Sequence, residues 1–178
     1  NHIGPNEHPV NKAGFVIHSA FHMENLDRHK VVLHTHSRAG MAVSALKEGL
    51  LPISMNSTAF QGRIAYHDYE GLSVHLDERA RLIEDQGDCT AMILRNHGLL
   101  VTGRTVPEAF LRLYRLERSC QVQIDAAAAG TLNLLGDNVA RKSGAELDEF
   151  TEDAADHGAL EFAALLRKLD KTDTSYRQ

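Results

Sequence analysis

The sequence predicts an α/β domain in which helices cover a sheet in αβα layers, and three observations support this. Short apolar runs alternate along the chain with longer segments of helical periodicity, as in domains where helices pack on a sheet. The 178 residues are 43% hydrophobic, enough for one globular domain with its own core. Glycines end three of the predicted helices, at Gly49, Gly87 and Gly130.

Strands are predicted where β-branched and apolar residues form short runs. The first run follows a loop over 1–12 and a segment over 13–26, whose first half could be either a short strand or the entry to a helix. A later run over 50–53 contains proline near its entry, as edge strands can. The predicted strands cover residues 30–36, 50–53, 63–66, 90–94 and 99–102.

Helices are predicted where apolar residues recur at helical spacing. The clearest begins after Thr105, which is a typical N-cap, with Glu108 three residues later. The predicted helices cover residues 37–48, 76–86, 105–129 and 148–169. In the second of them, the side chains predicted to face the core are Leu76, Ala80 and Ile83.

Composition and charge argue against several classes of function. The net charge is -5 with acidic and basic residues interspersed, whereas nucleic-acid binding requires a concentrated basic face. No apolar run approaches the roughly 20 residues of a membrane helix. Cys89 and Cys120 stand far apart and lack CxxC spacing, so we expect reduced cysteines in a cytoplasmic protein.

Two histidines stand at the end of the first predicted strand. In an extended chain, residues i and i+2 point to the same face, so His34 and His36 project side by side. His97 ends another apolar run, and Gly98 after it lets the backbone turn sharply. Three such histidines would hold one metal ion and leave open positions, as in a catalytic zinc site. The alternative is a set of partly buried histidines that bond to backbone carbonyls.

The residues around these histidines resemble the class II aldolase/adducin family. The resemblance rests on HTHSRAGMAVS at 34–44 and RNHGLLV at 95–101, and it extends over most of the chain. It implies a three-layer αβα domain with a central mixed sheet, and a divalent metal, most often Zn²⁺, held by His34, His36 and His97. It also implies a homo-oligomer, a dimer or tetramer, and a small carbonyl or sugar-derived substrate.

The same resemblance implies a lyase or epimerase-like enzyme that uses the metal to stabilise an enolate-type intermediate. Aldolases of the family carry a glutamate base upstream of the paired histidines. The corresponding residues 12–15 contain no acid, and Glu7 is the nearest upstream carboxylate. A catalytically degenerate, adducin-like protein-interaction module is therefore the alternative function, and a metal-binding protein without turnover is a third.

Other side chains could move protons or bind the substrate in place of that glutamate. Histidine titrates near neutral pH, which makes His18 and His67 candidate acid–base groups, together with Tyr66. Arg38 and Arg95 could bind an anionic substrate. For each residue a structural role is the alternative: a backbone-bonded histidine, a plain surface turn, or an ion pair with a nearby acid.

The chain is predicted to divide into a metal-binding domain over 1–130 and a helical extension over 131–178. The end of the extension is acidic and has a broad apolar face, so we expect it to pack on the domain or on a neighbouring subunit. Because the chain begins at Asn1 without a methionine, we expect residues before it to be missing.

Overall fold

A four-stranded mixed sheet lies at the centre of the molecule. The computed structural model describes residues 9–152 and 157–177. The strands are β1 Val31–Thr35, β2 Ile64–His67, β3 Ala91–Leu94 and β4 Gly98–Gly103. They are ordered β1-β4-β3-β2: β4 is antiparallel to both of its neighbours, whereas β2 runs parallel to β3.

Helices cover both faces of this sheet. Their bounds are α1 Lys12–Glu24, α2 Arg38–Ser44, α3 Met55–Thr58, α4 Glu78–Gln86, α5 Val106–Ala129, α6 Asp137–Glu152 and α7 Ala159–Leu169. α1 and α4 cover one face, and α2 and α5 cover the other, with α3 beside α5. α6 contacts α3, and α7 contacts α5. The predicted three-layer αβα class is therefore confirmed.

Alternating side chains of the strands fill two apolar cores, one on each face of the sheet. Met92 of β3 lies in one core with Phe21 of α1 and Leu82 of α4. Ile93, the next residue, lies in the other core with Leu116 of α5. Because helices cover both faces, every residue of β3 is buried, which explains its continuous apolar run in the sequence.

Residues 13–18, for which the sequence allows either a short strand or the entry to a helix, belong to helix α1. Asn11 caps this helix, since its side chain accepts a hydrogen bond from the Gly14 N–H at 2.9 Å. Ile17 and Phe21, one helical turn apart, are both buried against the sheet. The packing of this apolar stripe selects the helix over the strand.

The prediction of a strand over 50–53 is wrong. Side chains and the backbone of Leu135, and not a neighbouring strand, bind the backbone there. The Leu50 N–H donates to the Tyr66 hydroxyl at 3.1 Å. The Leu51 N–H donates to the side-chain oxygen of Gln123 at 2.7 Å. These bonds satisfy the donors that a sheet would otherwise use.

The helix predicted over 148–169 is two helices. α6 begins earlier, at Asp137, and α7 begins at Ala159. Gly158 stands just before α7 with a φ of 84°, a left-handed conformation that glycine adopts without strain. Within the two described ranges, none of the helices is both long and apolar enough to cross a bilayer.

The predicted inner face of α4 is right only at Ile83, which packs against the core. Of the three side chains expected to face the core, Leu76 and Ala80 are exposed and Ile83 is half-buried. Leu82 and Glu78 are buried instead. Glu78 can be buried because the Ser73 hydroxyl donates a hydrogen bond to its carboxylate at 2.8 Å. Apolar periodicity alone cannot reveal a carboxylate that faces the core.

Candidate metal centre

The register of the sheet brings the histidines together. β1 pairs with β4 so that Thr35 lies opposite Leu99. The end of β1 therefore lies beside the start of β4, and His97 stands one residue before that start. The ring centroids are 4.7 Å apart for His34–His36, 4.7 Å for His36–His97 and 4.8 Å for His34–His97. The structure thus makes one cluster of residues that are far apart in the sequence.

One nitrogen from each of the three rings could coordinate the same ion. These nitrogens all lie within 4.8 Å of one another, and imidazole suits zinc and other divalent transition metals. His34 and His97 are half-buried and His36 is exposed, so the cluster is open to solvent on one side. The histidine triad could therefore bind a divalent metal ion and still leave a position for a small ligand.

His34 is held in the tautomer that presents Nε2 as a ligand. Its Nδ1 lies 2.9 Å from the Leu99 carbonyl oxygen, and since a carbonyl only accepts, Nδ1 carries the proton. The lone pair is then on Nε2, which lies 2.8 Å from Nε2 of His36. Burial is the main cause that lowers the pKa of His34 to about 4, and burial followed by His36 also lowers the pKa of His97. Neutral imidazole is the form that binds metals.

The turn between β3 and β4 presents His97 to the other two rings. The His97 N–H donates to the Leu94 carbonyl at 3.1 Å, which closes the turn. Asn96 adopts a φ of 55°, a left-handed conformation that asparagine tolerates better than most residues. Gly98 follows, and a methyl group there would collide with the Thr35 carbonyl oxygen and lie 3.3 Å from Cδ2 of His36. The close approach of the two chain segments therefore requires glycine.

His67 lies beside this cluster, at the end of β2. Its ring is buried, and Nδ1 lies 2.6 Å from a carboxylate oxygen of Asp85. Nε2 lies 3.7 Å from a carboxylate oxygen of Glu78, and it has no hydrogen-bond partner within the described part of the chain. His67, Tyr69, Glu78 and His97 line the same small cavity. The structure thus places this predicted acid–base residue next to the histidine triad.

His18 approaches from α1. Side chains alternate along β1, so His34 shares with Val32 the sheet face that α1 covers. His18 is half-buried on that helix, and a positive charge on it would add slightly to the lowering of the pKa of His34, which is mainly due to burial. Burial, followed by the neighbouring His22, lowers the pKa of His18. Glu7, the upstream carboxylate noted in the sequence, lies outside the described residues.

Tyr66 and Arg95 form a brace on the other face of the sheet. The Arg95 guanidinium lies 4.2 Å from the centre of the Tyr66 ring and donates to the Leu46 carbonyl at 2.8 Å. Burial raises the pKa of Tyr66, whose hydroxyl oxygen accepts a hydrogen bond from the Leu50 N–H. Both side chains hold the loop that follows α2. Arg38, by contrast, is exposed in the first turn of α2, directly after the His34–His36 segment.

Three carboxylates near these histidines are not predicted from the sequence: Glu78, Asp85 and Glu117. Glu78 and Asp85 are two turns apart on α4 and both reach His67. Their spacing on one helical face was an available signal, but it is weak because charged residues usually lie on the solvent side. Glu117 belongs to a different helix, α5, and accepts a hydrogen bond from Ser37. Only the three-dimensional structure could reveal that pairing.

Comparison with known proteins identifies the family. Residues 1–124 match the family described as Class II Aldolase and Adducin N-terminal domain. This chain belongs to that family. A relative from Caulobacter vibrioides, whose name places it in aldolase class 2, is 41% identical over 182 residues, covering 99% of this chain and 68% of the relative. The resemblance inferred from the histidine motifs is therefore confirmed.

Solved structures of the class II aldolase/adducin family share this fold. An aldolase II superfamily protein from Pseudomonas syringae matches with a TM-score of 0.85 and 46% identity, over 98% of this chain and 68% of that one. L-fuculose 1-phosphate aldolase from Glaciozyma antarctica PI12 matches with a TM-score of 0.66 and 35% identity, over 78% of this chain and 52% of that one. The chain thus spans between about half and two thirds of the length of these relatives.

Proposed function

We propose that this class II aldolase/adducin chain is a zinc-dependent enzyme that acts on a small carbonyl or sugar-derived substrate through an enolate-type intermediate. The observation that carries the proposal is the convergence of three imidazole nitrogens within 4.8 Å, one of them, Nε2 of His34, left unprotonated because Nδ1 donates to the Leu99 carbonyl. The name of the Glaciozyma structural relative, L-fuculose 1-phosphate aldolase, supports a sugar-derived substrate.

In this proposal His34, His36 and His97 hold the ion. When bound, the ion supplies Lewis-acid polarisation of a substrate carbonyl, which favours the enolate-type form. The chain contributes two features to this site. The triad is open to solvent at His36, and strand β4, which follows His97, is buried along its whole length. Arg38 is an exposed cation two residues after His36, and in this proposal it binds an anionic group of the substrate.

We assign the movement of protons to His67. It is buried at the cavity that His97 also lines, and its Nε2 is unpaired among the described residues. Asp85 holds the opposite ring nitrogen at 2.6 Å, which orients the ring as a carboxylate does in many acid–base sites. His18, on the helix that covers His34, is the second candidate. Tyr66 has weaker support as a functional group, because it lies on the other face of the sheet. Arg95 also lines the cavity beside His67, but its guanidinium is held against the Tyr66 ring in the brace.

An adducin-like interaction module is the second candidate function. It is favoured by one feature of α1: residues 12–15, where aldolases of the family are expected to carry a glutamate, contain no acid. In that case the fold would persist for assembly while the chemistry is lost. A third outcome, zinc binding without turnover, combines the histidine triad with this missing base.

The first test is the metal content of the purified chain by plasma mass spectrometry. We expect about one equivalent of zinc per chain, lost in His36→Ala and retained in His75→Ala, a matched change of an exposed histidine on the loop before α4. A native chain that stays metal-free after incubation with zinc would contradict the proposal.

A second test separates the enzyme from the two alternatives. The zinc-loaded chain is incubated with L-fuculose 1-phosphate and with small hydroxy-carbonyl compounds in D₂O, and ¹H NMR follows cleavage and exchange of the proton next to the carbonyl. Turnover that disappears in His67→Asn supports the enzyme and its acid–base residue. Zinc binding with no exchange on any of these compounds supports the module or the non-catalytic metal protein.

We also infer a cytoplasmic homo-oligomer, a dimer or tetramer. Both cysteines are free, as expected in a reducing compartment. Leu160, Leu165 and Leu169 leave apolar surface exposed on α7, which is compatible with subunit contacts. Light scattering coupled to size-exclusion chromatography measures the oligomeric mass, and a monomer at micromolar concentration would contradict the inference.

A further inference from the structure

We propose that Glu117 of α5 is a positioning residue for the metal centre, because it fixes the backbone next to His36 through Ser37. The inference rests on the proposed zinc function, and it names a residue on a helix that contributes no ligand. If the three imidazoles are already fixed in position in the metal-free chain, less free energy is spent on ordering them when the ion binds, and the affinity for the ion is higher.

His36 is the most exposed ring of the triad. The His34 ring is held by the Leu99 carbonyl, and the backbone of His97 is held in a closed turn. His36 lies beyond the last residue of β1 and is exposed. Among the described residues its ring forms a hydrogen bond only with His34, through the nitrogen that would bind the ion. The position of His36 therefore depends on its backbone.

That backbone is held by the next residue, Ser37. Ser37 is the N-cap of α2, and its hydroxyl oxygen accepts a hydrogen bond from the Gly40 N–H at 3.2 Å. The same hydroxyl donates its proton to a carboxylate oxygen of Glu117. One side chain thus connects the end of the histidine segment both to its own helix and to a second helix 80 positions away in the sequence.

Glu117 is a firm anchor for this contact. Its other carboxylate oxygen accepts a hydrogen bond from the side-chain nitrogen of Gln121 at 2.8 Å, one helical turn along α5. Leu116 and Cys120, on either side of it, are fully buried in the core beneath α5. A hydrogen bond to a carboxylate is stronger than one to a neutral acceptor. The charge of Glu117 therefore contributes to holding Ser37, and a neutral isostere would hold it less well.

Loss of a hydrogen-bond partner of a metal ligand typically weakens metal binding by 10- to 100-fold. Glu117 bonds to the residue that follows the ligand His36, and Glu117→Gln keeps the size of the side chain and removes its charge, so we expect the Kd for Zn²⁺ to rise about three- to tenfold. Ser37→Ala removes both bonds and should have at least this effect. Ser37→Thr keeps a hydroxyl and should retain nearly native affinity. The matched control is Glu146→Gln, an exposed acid on α6 that pairs with Lys142.

The experiment is a competition titration of the full apo chain with Zn²⁺ and a chromophoric chelator, together with thermal unfolding of each apo variant. If Glu117 acts through Ser37, the double variant Glu117→Gln/Ser37→Ala binds Zn²⁺ no more weakly than Ser37→Ala alone. A merely structural role would lower the unfolding temperature of the apo chain and leave Zn²⁺ affinity unchanged.

The outcomes are distinguishable from those of the proposed function. Zinc binding by the native chain with unchanged Kd in Glu117→Gln would overturn this inference alone. Additive losses in the double variant would also overturn it, because the two residues would then act separately. Failure of the native chain to bind Zn²⁺ would overturn the proposed function and this inference with it. If Glu117→Gln does not fold, the comparison of Ser37→Ala with Ser37→Thr decides the question.

Discussion

At the scale of single residues, the centre depends on how closely two chain segments can approach. Gly98 lets the start of β4 touch the end of β1, where a methyl group would meet the Thr35 carbonyl. We expect Gly98→Ala to lower the free energy of unfolding by about 1–3 kcal/mol through overpacking. Urea unfolding measures this. Gly136→Ala is the control, since a methyl group there meets no neighbouring atom within 4 Å, and equal stability of the two variants would contradict the argument.

The two arginines considered for substrate binding should behave differently. Arg95 lies against the Tyr66 ring and donates to the Leu46 carbonyl, so Arg95→Met should reduce the free energy of unfolding by about 1–3 kcal/mol. Arg38→Met changes an exposed side chain and should stay within about 0.5 kcal/mol of the native chain. Urea unfolding of both variants compares them. Identical losses would show that the brace behind the sheet has no special value.

At the scale of elements, Glu108 in the first turn of α5 stabilises the fold in a pH-dependent way. Burial would raise the pKa of Glu108, but the Arg104 N–H at 2.7 Å and the Arg112 guanidinium at 2.9 Å outweigh it and hold the pKa below its ordinary value. A carboxylate with a lowered pKa stabilises the fold above the pKa of the unfolded chain, and this contribution is lost as the pH falls through the folded pKa.

We therefore expect Glu108→Gln to be less stable than the native chain by about 1–2 kcal/mol at pH 7, with the difference shrinking below about pH 4. Urea unfolding at pH 7 and at pH 3.5 tests this. Glu84→Gln, an exposed acid on α4, should leave the free energy of unfolding unchanged at both values. A pH-independent difference would mean that size, and not charge, explains the effect of Glu108.

The same scale separates what the sequence could predict from what it could not. The sequence predicts His34, His36 and His97 as a cluster because each stands at the end of an apolar run, and the end of such a run is a local property. Glu78 was not found, since a buried carboxylate depends on Ser73 and His67, which the apolar period of α4 does not register. The segment over 50–53 resembles a strand in composition, but its N–H groups bond to Tyr66 and Gln123, and no local rule identifies such distant side chains.

At the scale of the whole molecule, alternation predicts layers but not the order of strands. Nothing in the run at 30–36 states that it pairs with 98–103 and lies at the edge, whereas the short link after β3 does favour a hairpin with β4. The mixed character of the sheet is predicted only by the family resemblance. Strand order could not be derived from the residues alone, because pairing partners are selected by packing of the complete set of helices.

Occupation of the triad should stabilise the whole chain, because an ion that binds only the folded state shifts the unfolding equilibrium. At a free Zn²⁺ concentration of 100 times Kd the gain is about 2.7 kcal/mol. We expect the unfolding temperature to rise with Zn²⁺ and to return with EDTA, as followed by circular dichroism. His36→Ala should not respond. If neither Zn²⁺ nor EDTA changes the unfolding temperature of the native chain, the proposal that the triad binds a metal ion is contradicted.

The pairing of β1 with β4 also determines when the cluster can exist during folding. The turn that carries His97 joins adjacent strands and can close early, whereas 65 positions separate His34 from the Leu99 carbonyl that holds it. The three rings therefore meet only in the step that joins the two halves of the chain. Before that step only His34 and His36 of the triad are neighbours, so the topology delays assembly of the complete three-nitrogen site until β1 has paired with β4.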